Sequence, residues 1–171
     1  MPAHLAIINP KSPQNMGSIL RAAGCYQVHS IRYTGERYAR AKAFQTDTKN
    51  VHLAINVSHV DQVINGTTDV NLSKVAVELV EGATPLPNFI HPENALYIFG
   101  PEDGSIEQDV VDQCDYVVYV PTVGCMNLAA TVNVLLYDRL AKTTKMPEGD
   151  EIIIKSRDTN NRTKAKETVI K

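Results

Sequence analysis

Three loops hold the residues whose types and spacing could do chemistry. Asn15, Gly17 and Arg21 follow the turn-rich run Asn9-Pro10-Lys11-Ser12-Pro13-Gln14. Gly100-Pro101-Glu102 closes the apolar run Tyr97-Ile98-Phe99, and Pro121-Thr122-Val123-Gly124-Cys125-Met126-Asn127 leads from one apolar run into another. Each loop carries Gly or Pro and opens into a helix, whose first amide groups lack intrahelical partners and point toward whatever lies beyond. One such loop is an ordinary connection; three together make a ligand site. A metal centre is not expected. Cys25, Cys114 and Cys125 form no CxxC or Cys/His spacing, and His4, His29, His52, His59 and His91 show no ligand spacing. A phosphate cradle is not expected either, since the chain has no Walker or GxGxxG loop.

The elements that must position these loops alternate in type. His4–Ile8 is an apolar run too short for a helix and reads as a strand. From Met16 the period becomes helical, with Ile19, Leu20 and Ala23 on one face and Gly24 at the stop. His29–Tyr33 is a second strand, Glu36–Phe44 a basic helix, and Ser58–Ile64 another short helix. Lys74–Val80 is strand-like, Gly82-Ala83-Thr84-Pro85 is a turn, and Ala95–Phe99 is a buried strand. Ser105 and Gln108 fit a capping box that opens a helix running to about Cys114. Tyr116–Val120 is a strand, and Met126 to about Leu140 a helix apolar on so many faces that it must be buried or shared with a second subunit. Strands alternating with helices predict an α/β fold, a mostly parallel sheet flanked by helices. Ligands of such sheets gather beyond the carboxyl ends of the strands, where the three loops lie. The predicted domain is 1–146; 147–171 is a polar, basic tail expected to be mobile or to fold only on a partner.

Taken together, the three loops resemble the three motifs of the SPOUT superfamily of RNA methyltransferases, in its SpoU (TrmH-like) branch. The first motif stands as Asn15-Met16-Gly17-Ser18-Ile19-Leu20-Arg21, the second as Tyr97-Ile98-Phe99-Gly100-Pro101-Glu102, and the third as Val120-Pro121 followed by Cys125-Met126-Asn127-Leu128. The likeness spans roughly residues 4–142 and rests on the order and spacing of the set. It implies an α/β fold with a C-terminal deep trefoil knot, an exception to the rule that chains avoid knots. It also implies a homodimer, S-adenosylmethionine as cofactor (S-adenosylhomocysteine as product) and methyl transfer to an RNA ribose 2′-hydroxyl. The short form, with nothing ahead of the first motif, is the one more typical of tRNA enzymes. Leu79, Gly100, Val120, Cys125 and Met126 match the positions that line the cofactor slot, and Arg21, Asn15, Glu102 and Asn127 match the catalytic ones. Guanidinium has a pKa above ~12 and does not serve as a base, so Arg21 is expected to grip a phosphate bidentately and orient the hydroxyl. Asn15 is expected to fix Arg21 or the ribose, its position also allowing a helix N-cap, and Glu102 to orient Asn15 or Asn127 across the dimer. The chain departs from the family pattern at Cys125 and Ala129, where Ser is usual, and at Ser105, where Gly is usual.

Composition sets the remaining bounds. With 171 residues, 43% apolar and 21% charged, the chain can bury a core and is not a disordered composition. No apolar run approaches the ~18 residues of a membrane helix, and Met1–Pro10 lacks a signal-peptide pattern. Three thiols without a pairing pattern suggest a reduced, cytoplasmic setting. The net charge of −2 hides two basic ends around an acidic middle. Residues 1–49 carry seven Lys/Arg against two acids, 50–138 carry Lys74 against twelve acids, and 139–171 nine bases against five acids. RNA contact must therefore come from the ends, with Arg37, Arg40 and Lys42 near the crevice edge. Two competing readings use fewer of these features. A non-catalytic RNA-binding homologue draws on the Cys125 and Ala129 departures; a flavodoxin-type small-molecule binder explains the alternation but not the three ordered motifs.

Overall fold

A computed structural model describes residues 2–42, 55–64, 72–143 and 148–165. Alternating side chains of the central strands explain its layering. In β1 (Ala3–Ile7), Leu5 and Ile7 enter one core while Ala6 enters another. In β6 (Ala95–Phe99), Tyr97 and Phe99 face the first core, and Leu96 and Ile98 the second. β4 (Ser73–Val77) divides likewise between Val75 and Val77 on one side and Ala76 on the other. Strands covered on both faces read as unbroken apolar runs, and such runs belong to parallel sheets between helical layers.

The sheet has seven strands in the order β3-β2-β1-β6-β4-β7-β5, every pair parallel. Its other strands are β2 (Ser30–Tyr33), β3 (Asn56–His59), β5 (Thr84–Pro85) and β7 (Tyr116–Tyr119). α1 (Pro13–Cys25) and α4 (Leu128–Thr143) cover the first core, through Met16, Ile19, Leu20 and Ala23 from one and Leu128, Val132, Leu135 and Leu136 from the other. Among the described residues no helix is long and apolar enough to cross a membrane.

Several expectations are corrected. The helix predicted over Ser58–Ile64 is not formed: the chain makes β3, which pairs with β2 from Ser30↔Asn56 to Tyr33↔His59. Val63 and Ile64 are buried in the second core. The capping box at Ser105 also fails. α3 is only Gln108–Val111 and opens on Glu107, which makes no side-chain cap bond. The amide of Ile106 is instead bound by Glu78 Oε2 at 3.1 Å, so the backbone ahead of the helix is committed elsewhere. α1 begins at Pro13 rather than Met16, because the Ser12 hydroxyl accepts the Asn15 amide at 3.2 Å and Pro13 takes a first-turn place that needs no donor. The turn at Gly82–Pro85 contains the edge strand β5. The tail carries a short helix, α5 (Asp150–Ser156), with Ile152, Ile153 and Ile154 exposed. The helix predicted over Glu36–Phe44 is α2 (Arg37–Lys42); residues beyond it lie outside the described ones.

A buried polar network ties α4 to the sheet. Arg139, only 5% exposed, donates to Tyr97 Oη (2.8 Å), Pro92 O (2.8 Å) and Glu93 O (2.8 Å). Tyr97 in turn meets His91 Nδ1 at 2.7 Å, and His91 Nε2 meets Asp138 at 2.8 Å. Burial pushes the Tyr97 hydroxyl up to about 12, so it stays protonated and donates to His91. Burial also holds His91 below its ordinary pKa, against the opposing pull of Asp138. The neutral ring then carries its proton on Nε2 and donates it to Asp138.

Candidate functional site

The loops after β1, β4, β6 and β7 all leave the same edge of the sheet and enclose a cavity of ≈ 280 Å³. Val77, Phe99 and Leu128 give it apolar walls. Gly100 makes room at the end of β6, where a Cβ would stand 3.1 Å from Glu78 Oε2 and 3.3 Å from the Ile106 amide. All five residues expected at a cofactor, Leu79, Gly100, Val120, Cys125 and Met126, lie on this wall. Among the described residues the wall includes Glu78 and Glu102 and no Lys, Arg or His.

One rim is a hydrogen-bonded chain of three motif residues. Glu102 accepts from the amides of Lys11 (2.8 Å) and Ser12 (2.9 Å) and from Asn15 Nδ2 (3.2 Å). Asn127 Oδ1 caps α4, accepting from the amides of Ala129 (2.9 Å) and Ala130 (3.3 Å). That leaves Asn127 Nδ2 to donate to Asn15 Oδ1 at 2.9 Å. The cap thus fixes which way Asn127 faces, Asn127 fixes Asn15, and Asn15 aims its own donor at Glu102. Partial burial opposes the Glu102 charge, yet the amides of Ser12 and Lys11, aided by Asn15, outweigh it and hold the carboxyl below its usual range. The N-cap of α1 is Ser12, so the alternative reading of Asn15 as the cap is not met, and the Glu102–Asn15 contact is made within the chain.

The other expected residues lie apart from this chain. Arg21 is exposed on α1, six residues beyond Asn15 and so about 9 Å along the helix axis, and is not on the cavity wall. Arg37, expected at the RNA, has its guanidinium held by Asp103 at 2.9–3.0 Å and by Asn9 O at 2.8 Å. The side chains of Arg40 and Lys42 lie outside the described residues. Glu78 was missed by sequence reasoning. Extending the strand to Val80 hid it, whereas β4 ends at Val77 and turns Glu78 into the wall, where it accepts from Leu79 N (2.9 Å) and Ile106 N (3.1 Å). An acid directly after a fully apolar strand end was the available signal. Among the described residues no group of His, Cys, Asp and Glu could hold a metal ion.

These features define a class: an all-parallel α/β domain with a cavity at the carboxyl edge of the sheet, walled by apolar side chains and two carboxylates. A model of the SpoU rRNA Methylase family matches residues 2–137, and the chain belongs to that family. No curated protein matches the chain in sequence. Among solved structures it is similar to an AdoMet-bound rRNA methyltransferase from Sinorhizobium meliloti, at TM-score 0.71 and 16% identity, over 84% of this chain and 57% of that one. It is also similar to the TrmH/SpoU tRNA modifying enzyme of A. aeolicus, at TM-score 0.70 and 17% identity, over 82% of this chain and 74% of that one. A third similar structure concerns 2-OH methylation of C/U34 on tRNA, at TM-score 0.70 and 18% identity, over 82% of this chain and 89% of that one. The chain spans little more than half of the Sinorhizobium protein.

Proposed function

We propose that the protein is an S-adenosylmethionine-dependent ribose 2′-O-methyltransferase acting on tRNA, as a homodimer in the cytoplasm. The observation that carries this reading is the cavity wall. All five cofactor positions meet there beside the Glu102–Asn15–Asn127 chain, with two carboxylates and no cation. The wall fits adenosylmethionine on its donor chemistry. The apolar faces of Leu79, Val120 and Met126 suit an adenine, and Glu78 and Glu102 suit a positive sulfonium. When bound, that group supplies an electrophilic methyl carbon. The chain itself supplies positioning for an in-line displacement. Arg21 grips a substrate phosphate and orients the 2′-hydroxyl, and a phosphate oxygen or water accepts the proton. Because Arg21 does not line the cavity of its own chain, the homodimer is what brings it to a substrate. The sheet order supports the knot: β7 enters between β4 and β5, so the short connection between those two strands must cross it.

Calorimetric titration with adenosylmethionine, followed by methylation of bulk tRNA and mapping of 2′-O-methyl sites, tests the proposal. The expected result is binding of the cofactor and a new 2′-O-methyl nucleotide. RNA binding with neither would favour the non-catalytic homologue.

A further inference from the structure

Arg37 opens α2 at the edge of the site and holds two loops at once. Its Nη1 donates to both carboxylate oxygens of Asp103 at 3.0 Å, and its Nη2 to Asp103 Oδ1 at 2.9 Å and Asn9 O at 2.8 Å. Lys11 Nζ also reaches Asp103, at 3.5 Å. Asn9 needs such a hold. It sits at φ 43°, in the left-handed region that costs a residue with a Cβ, and its amide donates to Thr34 Oγ1 at 3.1 Å. Opposite it Gly35 makes room, for a Cβ there would collide with the Asn9 side chain. The strained turn at Asn9 aims the next amides, those of Lys11 and Ser12, at Glu102, the neighbour of Asp103. The guanidinium therefore grips the loop after β1 on one side of the Glu102 carboxylate and the loop after β6 on the other.

We infer that Arg37 is a positioning residue: by clamping Asn9 to Asp103 it sets Glu102, and through Glu102 the Asn15–Asn127 pair at the cavity rim. It does not act as an RNA phosphate ligand. Only a planar fork can meet a carboxylate twice and a carbonyl once, so lysine cannot replace it. The consequence for methyl transfer rests on the function proposed above; the clamp itself does not.

The test compares Arg37→Gln and Arg37→Lys by amide hydrogen exchange and by steady-state methylation of tRNA across a salt series. Both variants are expected to speed exchange at the Lys11 and Ser12 amides by about 10-fold or more. Central amides of β1 and β6 should keep their protection. kcat should fall about 10-fold, while the KM for RNA and the salt slope of binding stay at wild-type values. If Arg37→Gln loosens β1 and β6 as well, the same readings on Arg37→Lys decide. Unchanged exchange at Lys11 and Ser12 in both variants would overturn the clamp. So would a salt slope reduced by ~0.7–0.9 in the Gln variant and restored in the Lys variant, the mark of one lost phosphate contact. A wild-type protein that binds no adenosylmethionine and methylates no RNA would sink the proposed function while leaving the exchange result to judge the clamp.

Discussion

At the scale of single residues, the site separates holding from reacting. Asn127 serves two partners with two ends of one amide: Oδ1 caps α4 and Nδ2 binds Asn15. Asn127→Asp keeps the cap acceptor, since Asp caps as well as Asn, but removes the donor and sets a carboxylate against Asn15 Oδ1. Thermal stability is expected to change little, while methyl transfer falls ~10- to 100-fold, as for loss of a positioned polar group; melting curves and single-turnover rates on tRNA check this. Arg21 is exposed and clear of the cavity wall. Arg21→Ala is therefore expected to leave adenosylmethionine affinity nearly intact and to lower methyl transfer at least ~100-fold. Near wild-type methylation by that variant would remove Arg21 from the mechanism. The motif residues were legible in the sequence because their spacing is fixed by strand-loop-helix geometry. The Asn15–Glu102 contact was legible only as a contact, not as one made within a chain. The hold of Asp103 on Arg37 was not legible, because Asp103 lies 66 residues away and nothing local distinguishes a clamped Arg from a free one.

At the scale of elements, the register of the sheet decides which loops meet, and the buried network decides where α4 lies. That network makes a pH prediction. His91 is held below its ordinary pKa by burial, so the folded protein resists protonation that the unfolded chain accepts near 6.5. Below that pH the unfolded state binds more protons, and stability falls with acidification; above it His91 contributes no slope. Melting temperature measured from pH 8 to pH 5 should decline below about 6.5, and a His91→Gln variant should lose that part of the decline. A decline of equal size in the variant would place its origin elsewhere. The central strands with apolar runs, β1 and β6, were readable because burial on both faces leaves no alternation to confuse. β3 was not, because Asn56-Val57-Ser58-His59 carries one apolar residue and owes its form to pairing with β2. The late start of α3 was hidden for the same kind of reason. Glu78, 28 residues earlier in the chain, takes the Ile106 amide that a capping box would have left to the helix.

At the scale of the whole molecule, the question is what the exposed surface meets. α4 buries one stripe in its own domain, yet Val134 and Tyr137 remain 38% and 56% exposed on the helix. Apolar surface of that kind on α4 suits a second subunit, and light scattering at micromolar concentration is expected to give twice the 18.8 kDa of the chain. A monomer mass would count decisively against the dimer. On the proposed function, RNA meets positive charge at the ends, because residues 50–138 carry twelve acids against Lys74 and the cavity wall adds no cation among the described residues. If Arg37 serves as the proposed clamp, the bases of the tail, exposed Lys155, Arg162 and Lys164 with half-buried Arg157, take a larger share of that task. Each phosphate they meet releases counterions, so tRNA affinity should fall with salt by a log–log slope of roughly −0.7 to −0.9 per contact. Replacing those four by Gln is expected to weaken tRNA binding and flatten the slope while leaving adenosylmethionine affinity unchanged, since none of them lines the cavity. The loss should be milder than full charge removal implies, since ordering a segment with few buried groups costs entropy that offsets part of each contact. If affinity and slope both survive the four substitutions, the tail bases serve solubility alone and the RNA surface lies with Arg40 and Lys42 at the other end.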